Sequence, residues 1–241
     1  MTTTTNSTVL ITGANKGLGY ETARRLARLG ATVWLGARDP RRGAEAVAKI
    51  HADLPDADVR TLTLDVTADE SVRAAYTRVA DSGTGLDVLV NNAGIAGSVT
   101  PPAETVPAAF LPVFGVNLLG PVRVTQTFLP LLQESAAPRL VMVSSGLGSF
   151  AMTADPERVE STVVDLVYPS SKAALNMVTT MYAKALPDIR VTAVDPGYTA
   201  TGLNGFSGPQ TVAEGSDAIV EACTAAEPAG GFISRHGPIP W

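Results

Sequence analysis

The sequence predicts an α/β fold, one doubly wound domain spanning residues 1–241, with a seven-stranded, mainly parallel sheet covered by helices on both faces. Three observations predict it. Short apolar, β-branched runs alternate with longer stretches of helical period. The first run passes directly into a glycine-rich turn and then a helical pattern. No low-complexity linker, charge block or solenoid repeat interrupts the alternation.

The runs are STVLIT (7–12), ATVWLG (31–36), DVRTLTL (58–64), LDVLVN (86–91), RLVMVS (139–144) and IRVTAV (189–194), with a weaker seventh, GGFIS (230–234). Segments apolar on both faces suit parallel strands with helices above and below. After the first run, Leu18, Thr22, Leu26 and Leu29 share one helical face, and Gly30 suits the C-terminal cap. A second helix is expected from Pro40 to Ala52, burying Val47 and Ile50. The stretch 107–133 holds several prolines, which predicts a short helix broken from a longer one.

Composition narrows the function. A formal charge of −5 argues against broad nucleic-acid affinity, which needs concentrated Lys and Arg. No uninterrupted apolar run approaches the roughly 20 residues of a spanning helix, so no membrane association is expected. The opening MTTTTNST lacks a basic flank and an apolar segment, and Cys223 is the single cysteine. Both point to a cytoplasmic protein in a reducing compartment. His51 and His236 have no partners at ligand spacing, so no metal is expected.

The turn TGANKGLG (12–19) places glycines at 13, 17 and 19 between strand and helix, where backbone N–H groups at a helix start can receive a diphosphate. Asn15, Lys16 and Leu18 complete the loop. An NAD binder usually carries an acid at the end of the second strand to hold the ribose hydroxyls. In WLGARD, Ala37 stands there and Arg38 follows; with Lys16 it favours the 2′-phosphate of NADP. Asp39 keeps NAD as the less favoured cofactor.

In YPSSK (168–172), a helix starting near Pro169 stacks Tyr168 and Lys172 on one face, about 6 Å apart along the axis. A neighbouring ammonium is expected to stabilise the phenolate and to bring its pKa, near 10 when free, toward the working range.

Together with LDV (64–66), NNAG (91–94), VN (116–117), VSS (143–145) and DPG (195–197), these motifs resemble the short-chain dehydrogenase/reductase family from about residue 8 to 235. Lys16 paired with GARD is similar to its NADP-using, carbonyl-reductase-like branch, and the doubly wound fold is then the Rossmann fold. The resemblance implies that Tyr168 exchanges a proton with the carbonyl or alcohol oxygen of a small-molecule substrate. Lys172 lowers its pKa and holds the nicotinamide ribose, Ser145 orients the substrate oxygen, and Asn117 anchors a water chain. It further implies adenine contacts at Asp65 and Val66, the cofactor's middle along Asn92, Ala93 and Gly94, and the carboxamide at Pro196, Gly197, Thr199 and Thr201. The expected reaction is ketone or aldehyde reduction. The rivals are an NAD-dependent alcohol dehydrogenase of the same fold and a protein that senses NADP without turnover.

Between Ser145 and Tyr168 lie 22 residues, more than minimal members of that family carry, which favours a monomer or homodimer over a tetramer. Phe150, Tyr198, Phe206 and Trp241 are apolar candidates for the substrate pocket.

Overall fold

In the computed structural model, residues 6–226 and 230–241 are described; the start of the polar N-terminal stretch, residues 1–5, lies outside them. β1 (Thr8–Ile11), β2 (Thr32–Ala37), β3 (Val59–Thr63), β4 (Val88–Asn91), β5 (Arg139–Val143), β6 (Arg190–Val194), β7 (Gly231–Ser234) and β8 (Gly237–Pro238) form one sheet in the order β3-β2-β1-β4-β5-β6-β7-β8. Every pairing is parallel except β7 with β8. The eighth strand corrects the expected count of seven. Gly237, at φ 103°, turns the chain back so that Ser234 meets Gly237 and Ile233 meets Pro238. Two residues ending in proline give no periodic signal.

Side chains of adjacent strand residues enter opposite cores. Val9 and Ile11 pack with Leu26 and Ile50, from α1 (Gly17–Arg28) and α2 (Pro40–Asp53), and with Ile219 from α9 (Asp217–Thr224). Leu10 packs with Val72, Phe128 and Leu175, from α3 (Asp69–Asp81), α5 (Gly120–Gln133) and α7 (Val167–Ala185) on the other face. Phe128 is fully buried, and Tyr76 meets it edge-on at 5.7 Å. Such a side chain contributes about 2–3 kcal/mol by burial.

The stretch 107–133 is not broken as its prolines predict. A 3-10 turn (Pro107–Ala109) leads into α4 (Phe110–Phe114), a π-helical turn (Gly115–Leu119) and α5, in unbroken helical succession. Pro121 offers no N–H to the turn before it. The Gly120 N–H instead closes a wider ring on the Gly115 carbonyl, so the extra residue is absorbed within the helix. By length and composition alone this 27-residue helix could cross a membrane; here Val124, Phe128 and Leu132 lie buried in the core beneath the sheet.

The chain leaves β1 toward one face of the sheet and β4 toward the other. Their carboxyl ends therefore part, and the crevice between them is where an open α/β sheet takes its ligand.

Candidate active site

Thr12 joins the two strand ends. Its hydroxyl accepts from the Asn92 and Ala93 N–H groups at 3.0 and 2.9 Å, while Asn92 Nδ2 donates to the Thr12 and Gly13 carbonyls at 2.8 and 3.2 Å. Gly13 has φ 63°, and a Cβ there would stand 2.9 Å from Ala93 Cα. A Cβ on Gly19 would meet Asn92 Nδ2 at 2.5 Å. α1 opens at Gly17 with no side chain capping its N–H groups and no acid in its first turn. A tight glycine cradle beneath an uncapped helix N-terminus fits a dinucleotide diphosphate. Asn15 is half-buried in the loop, and Lys16 is exposed with Nζ 3.7 Å from where a Gly202 Cβ would stand. Leu18 turns inward instead, toward Gly215.

At the end of β2, Ala37 is buried and Arg38 exposed. The Asp39 carboxylate is already engaged: it accepts from the Arg41 and Arg42 N–H groups at 2.9 and 3.3 Å and caps α2. Such a cap is worth about 1 kcal/mol. Asp65 accepts from Thr67 N and Oγ1 at 2.9 and 2.7 Å. Burial pushes its carboxyl upward, but the Thr67 bonds, Arg38 and Arg123 together hold it below the usual range. Val66 is buried against Gly120, and its carbonyl accepts from Arg123.

The structure brings Ser145, Tyr168, Lys172, Asn117 and Gly94 together. Asp165 accepts from the Val167 and Tyr168 N–H groups at the start of α7, which sets Tyr168 and Lys172 on consecutive turns. Ser145, just beyond β5, lies beside the Tyr168 phenol, where its hydroxyl opposes the rise in the phenol's pKa. The Lys172 ammonium lies 5.6 Å from the Tyr168 ring centroid and donates to the Val143 carbonyl at 2.8 Å. A Cβ on Gly94 would meet Asn117 Oδ1 at 3.5 Å and Lys172 Nζ at 3.8 Å, so this glycine keeps the approach to the amine clear. Asn117, buried in the π turn, accepts from Ile95 N and donates to Ile95 O, both at 2.9 Å, and donates to Ser171 Oγ at 3.0 Å.

The expected depression of the phenol's pKa by Lys172 is not found in the chain alone. Burial drives the Tyr168 phenol above its ordinary value; the Ser145 hydroxyl opposes this and Asp195 reinforces it. Burial also lowers Lys172 to about 8, against a partial upward pull from Asp195. Desolvation disfavours both ions, and at this depth it is the largest influence on each.

Beyond β6, Asp195 is 6% exposed and leads into Pro196 and Gly197, where φ is 70°. The buried Thr199 turns its hydroxyl to the Pro196 carbonyl at 3.0 Å. Thr201 rests its methyl 3.8 Å from where a Gly17 Cβ would stand, which brings this loop against the start of α1. Tyr198 bonds Ser207 at 2.7 Å and Trp241 stacks on Phe232 at 5.2 Å, while Phe150 and Phe206 are exposed. Thr12, Asp195, Glu160 and Gln210 also belong to this neighbourhood and were not singled out from the sequence. Asp195 sits in the DPG motif, yet its approach to Lys172 arises only when β6 lies beside β5.

A family model described as short chain dehydrogenase matches residues 7–211. The short-chain dehydrogenase anuI of Penicillium roqueforti is 37% identical over 234 residues, covering 95% of this chain and 92% of its own. The (+)-neomenthol dehydrogenase of Arabidopsis thaliana is 32% identical, covering 94% and 95%. Among solved structures, the NADPH-bound carbonyl reductase from chicken fatty liver superposes with TM-score 0.84 at 28% identity, covering 98% and 99%. The glycine cradle, the shared sheet and these relatives lead to one identification: the chain is an oxidoreductase of the short-chain dehydrogenase/reductase family.

Proposed function

We propose that the protein is an NADP(H)-dependent reductase that converts ketones or aldehydes to alcohols. The observation that carries this reading is the buried Tyr168 phenol, its pKa raised by burial, with the Lys172 ammonium 5.6 Å from its ring and Ser145 beside it. A phenol held protonated is the form that gives a proton to a carbonyl oxygen as the hydride arrives. Ser145 positions that oxygen, and Lys172 keeps an ammonium at the base of the site. Asn117 fixes the loop at Ile95 beside Lys172. Bound nicotinamide supplies the hydride; the chain's own contribution is orientation, the proton and polarisation of the oxygen.

NADP is favoured over NAD because Arg38 is exposed beside Asp65, while Asp39, the acid that follows Arg38 at the end of β2, is committed to its helix. The NADPH-bound state of the chicken carbonyl reductase supports the same choice. The names of the neomenthol dehydrogenase and of a (−)-isopiperitenone reductase from Mentha piperita, 31% identical, support cyclic ketones and alcohols as the first substrates to try. The segment before α7 folds into α6 (Phe150–Ala154) and a 3-10 turn (Val159–Thr162), and we read the chain as a monomer or homodimer.

The test follows NADPH absorbance across a panel of carbonyl compounds, with Tyr168→Phe as control. Turnover by wild type and none by the variant is expected. Equal turnover by both would remove Tyr168 from the reaction.

A further inference from the structure

The Asp195 carboxylate touches two segments that the proposed reaction needs in register. Its Oδ1 accepts from the Gly197 N–H at 3.0 Å, at the start of the loop assigned to the nicotinamide. Its other carboxylate oxygen faces the backbone of Gly146, the residue after Ser145. Asp195 Oδ2 lies 3.2 Å from the point where a Gly146 Cβ would stand. The ends of the Met152 and Glu160 side chains, Cε and Oε1, approach the same point to 2.8 and 2.9 Å. The turn carrying Ser145 thus lies against the Asp195 carboxylate.

We infer that Asp195 is a positioning residue, whose carboxylate fastens the turn of Ser145 to the loop beginning at Pro196 and sets a negative charge against the Lys172 ammonium. Nearly full burial keeps that charge unscreened by water, so its effect at Lys172 and Tyr168 exceeds that of a surface carboxylate at equal distance. The charged and titratable groups facing Asp195 are Lys172, on α7, and Glu160, on the 3-10 turn before it; Tyr168, on α7, feels its field. Burial raises the Asp195 carboxyl and Glu160 adds to this, while the Gly197 N–H and the Lys172 ammonium pull it toward its ionised form. Once ionised, it draws the Lys172 amine and the Tyr168 phenol toward their protonated forms.

The catalytic half of this inference rests on the reading of Ser145, Tyr168 and Lys172 as the reacting centre, so two measurements separate them. The first is the pH profile of alcohol oxidation, which needs the phenolate. Asp195→Asn removes the charge and keeps a carbonyl acceptor. Its acid limb is expected to move to lower pH by about half a unit to one unit, with kcat falling only a few-fold. Asp195→Ala loses the Gly197 anchor and the contact with Gly146, and is expected to lose about a hundredfold in kcat. The second is the affinity for NADP and NADPH, read by fluorescence titration without turnover. Asp195→Ala is expected to bind about tenfold more weakly, while Tyr168→Phe binds as wild type does. An unmoved limb in Asp195→Asn, or unchanged cofactor affinity in Asp195→Ala, would overturn the inference. Failure of the wild type to turn over any carbonyl, with the affinity loss intact, would instead sink the reading of the reacting centre and leave the loop-fastening role standing.

Discussion

Lys172 donates a 2.8 Å hydrogen bond to the carbonyl of Val143, so a buried ammonium is tied to the end of the strand that delivers Ser145 two residues later. The amine is therefore a structural tie between α7 and β5 as well as a candidate participant in the reaction.

Its stability effect has a definite sign. Burial lowers Lys172 from 10.5 to about 8, so between those values the folded chain binds fewer protons than the unfolded one. This group's contribution to stability accordingly rises with pH across that window, and the full cost of the buried charge is present below about 8. Lys172→Met is expected to be inactive yet more stable at pH 7, by on the order of 1–3 kcal/mol less the lost Val143 bond. Thermal melts of both proteins should show the gap closing as pH climbs toward 10. A gap independent of pH would contradict this.

Tyr168→Phe should lower turnover by about a thousandfold and leave NADPH affinity nearly intact, since the phenol lies beside Ser145 and is not part of the glycine cradle. Ser145→Ala should cost about a hundredfold while sparing affinity in the same way. Stopped assays with matched cofactor titrations check both.

Because burial holds the Tyr168 phenol protonated, carbonyl reduction should be level through neutral pH and decline only in alkali. Oxidation of the corresponding alcohol should climb with pH, because it needs the phenolate. Rates measured in both directions with one ketone–alcohol pair decide the matter; parallel profiles would speak against Tyr168 as the proton carrier.

Cofactor choice should turn on Arg38. Arg38→Asp is expected to lower the NADPH to NADH ratio of kcat/KM by about tenfold or more, through loss of a charge-assisted phosphate contact. Asp39→Ala, in contrast, should act mainly on helix stability, by about 1 kcal/mol, because that carboxylate caps α2. A large change in cofactor ratio from Asp39→Ala would mean that the side chain leaves the cap.

Gly13→Ala should destabilise by about 1–3 kcal/mol and weaken cofactor binding severely, since φ is 63° and the added methyl would stand 2.9 Å from Ala93 Cα. Chemical denaturation and cofactor titration of the variant test it.

Much of this was legible in the sequence because it is local. A strand running into glycines at 13, 17 and 19 and then into a helix has one common use. Residues 168 and 172 must share a helical face whatever surrounds them. What escaped depends on distant parts of the chain. The π turn reflects Pro121 acting on a helix already packed beneath the sheet, and β8 is two residues long. Asp39 looks like a ribose ligand until its bonds to Arg41 and Arg42 are seen. The direction of the phenol's shift failed for the same reason: spacing reveals the neighbouring charge, whereas burial is a property of the finished fold.

The π turn at Gly115–Leu119 means that this helix carries one residue more than regular winding would use. Excising Gly115 would remove that residue and force the segment toward α-helical winding, although Pro121 still has no N–H for the Asn117 carbonyl. Every side chain on one side of the cut would then rotate by about 100° relative to the other. Asn117 would swing off Ile95 and Ser171, and the floor under Lys172 would open. A smoother helix would thus make a poorer enzyme, and an irregularity that looks like a defect is what aims Asn117.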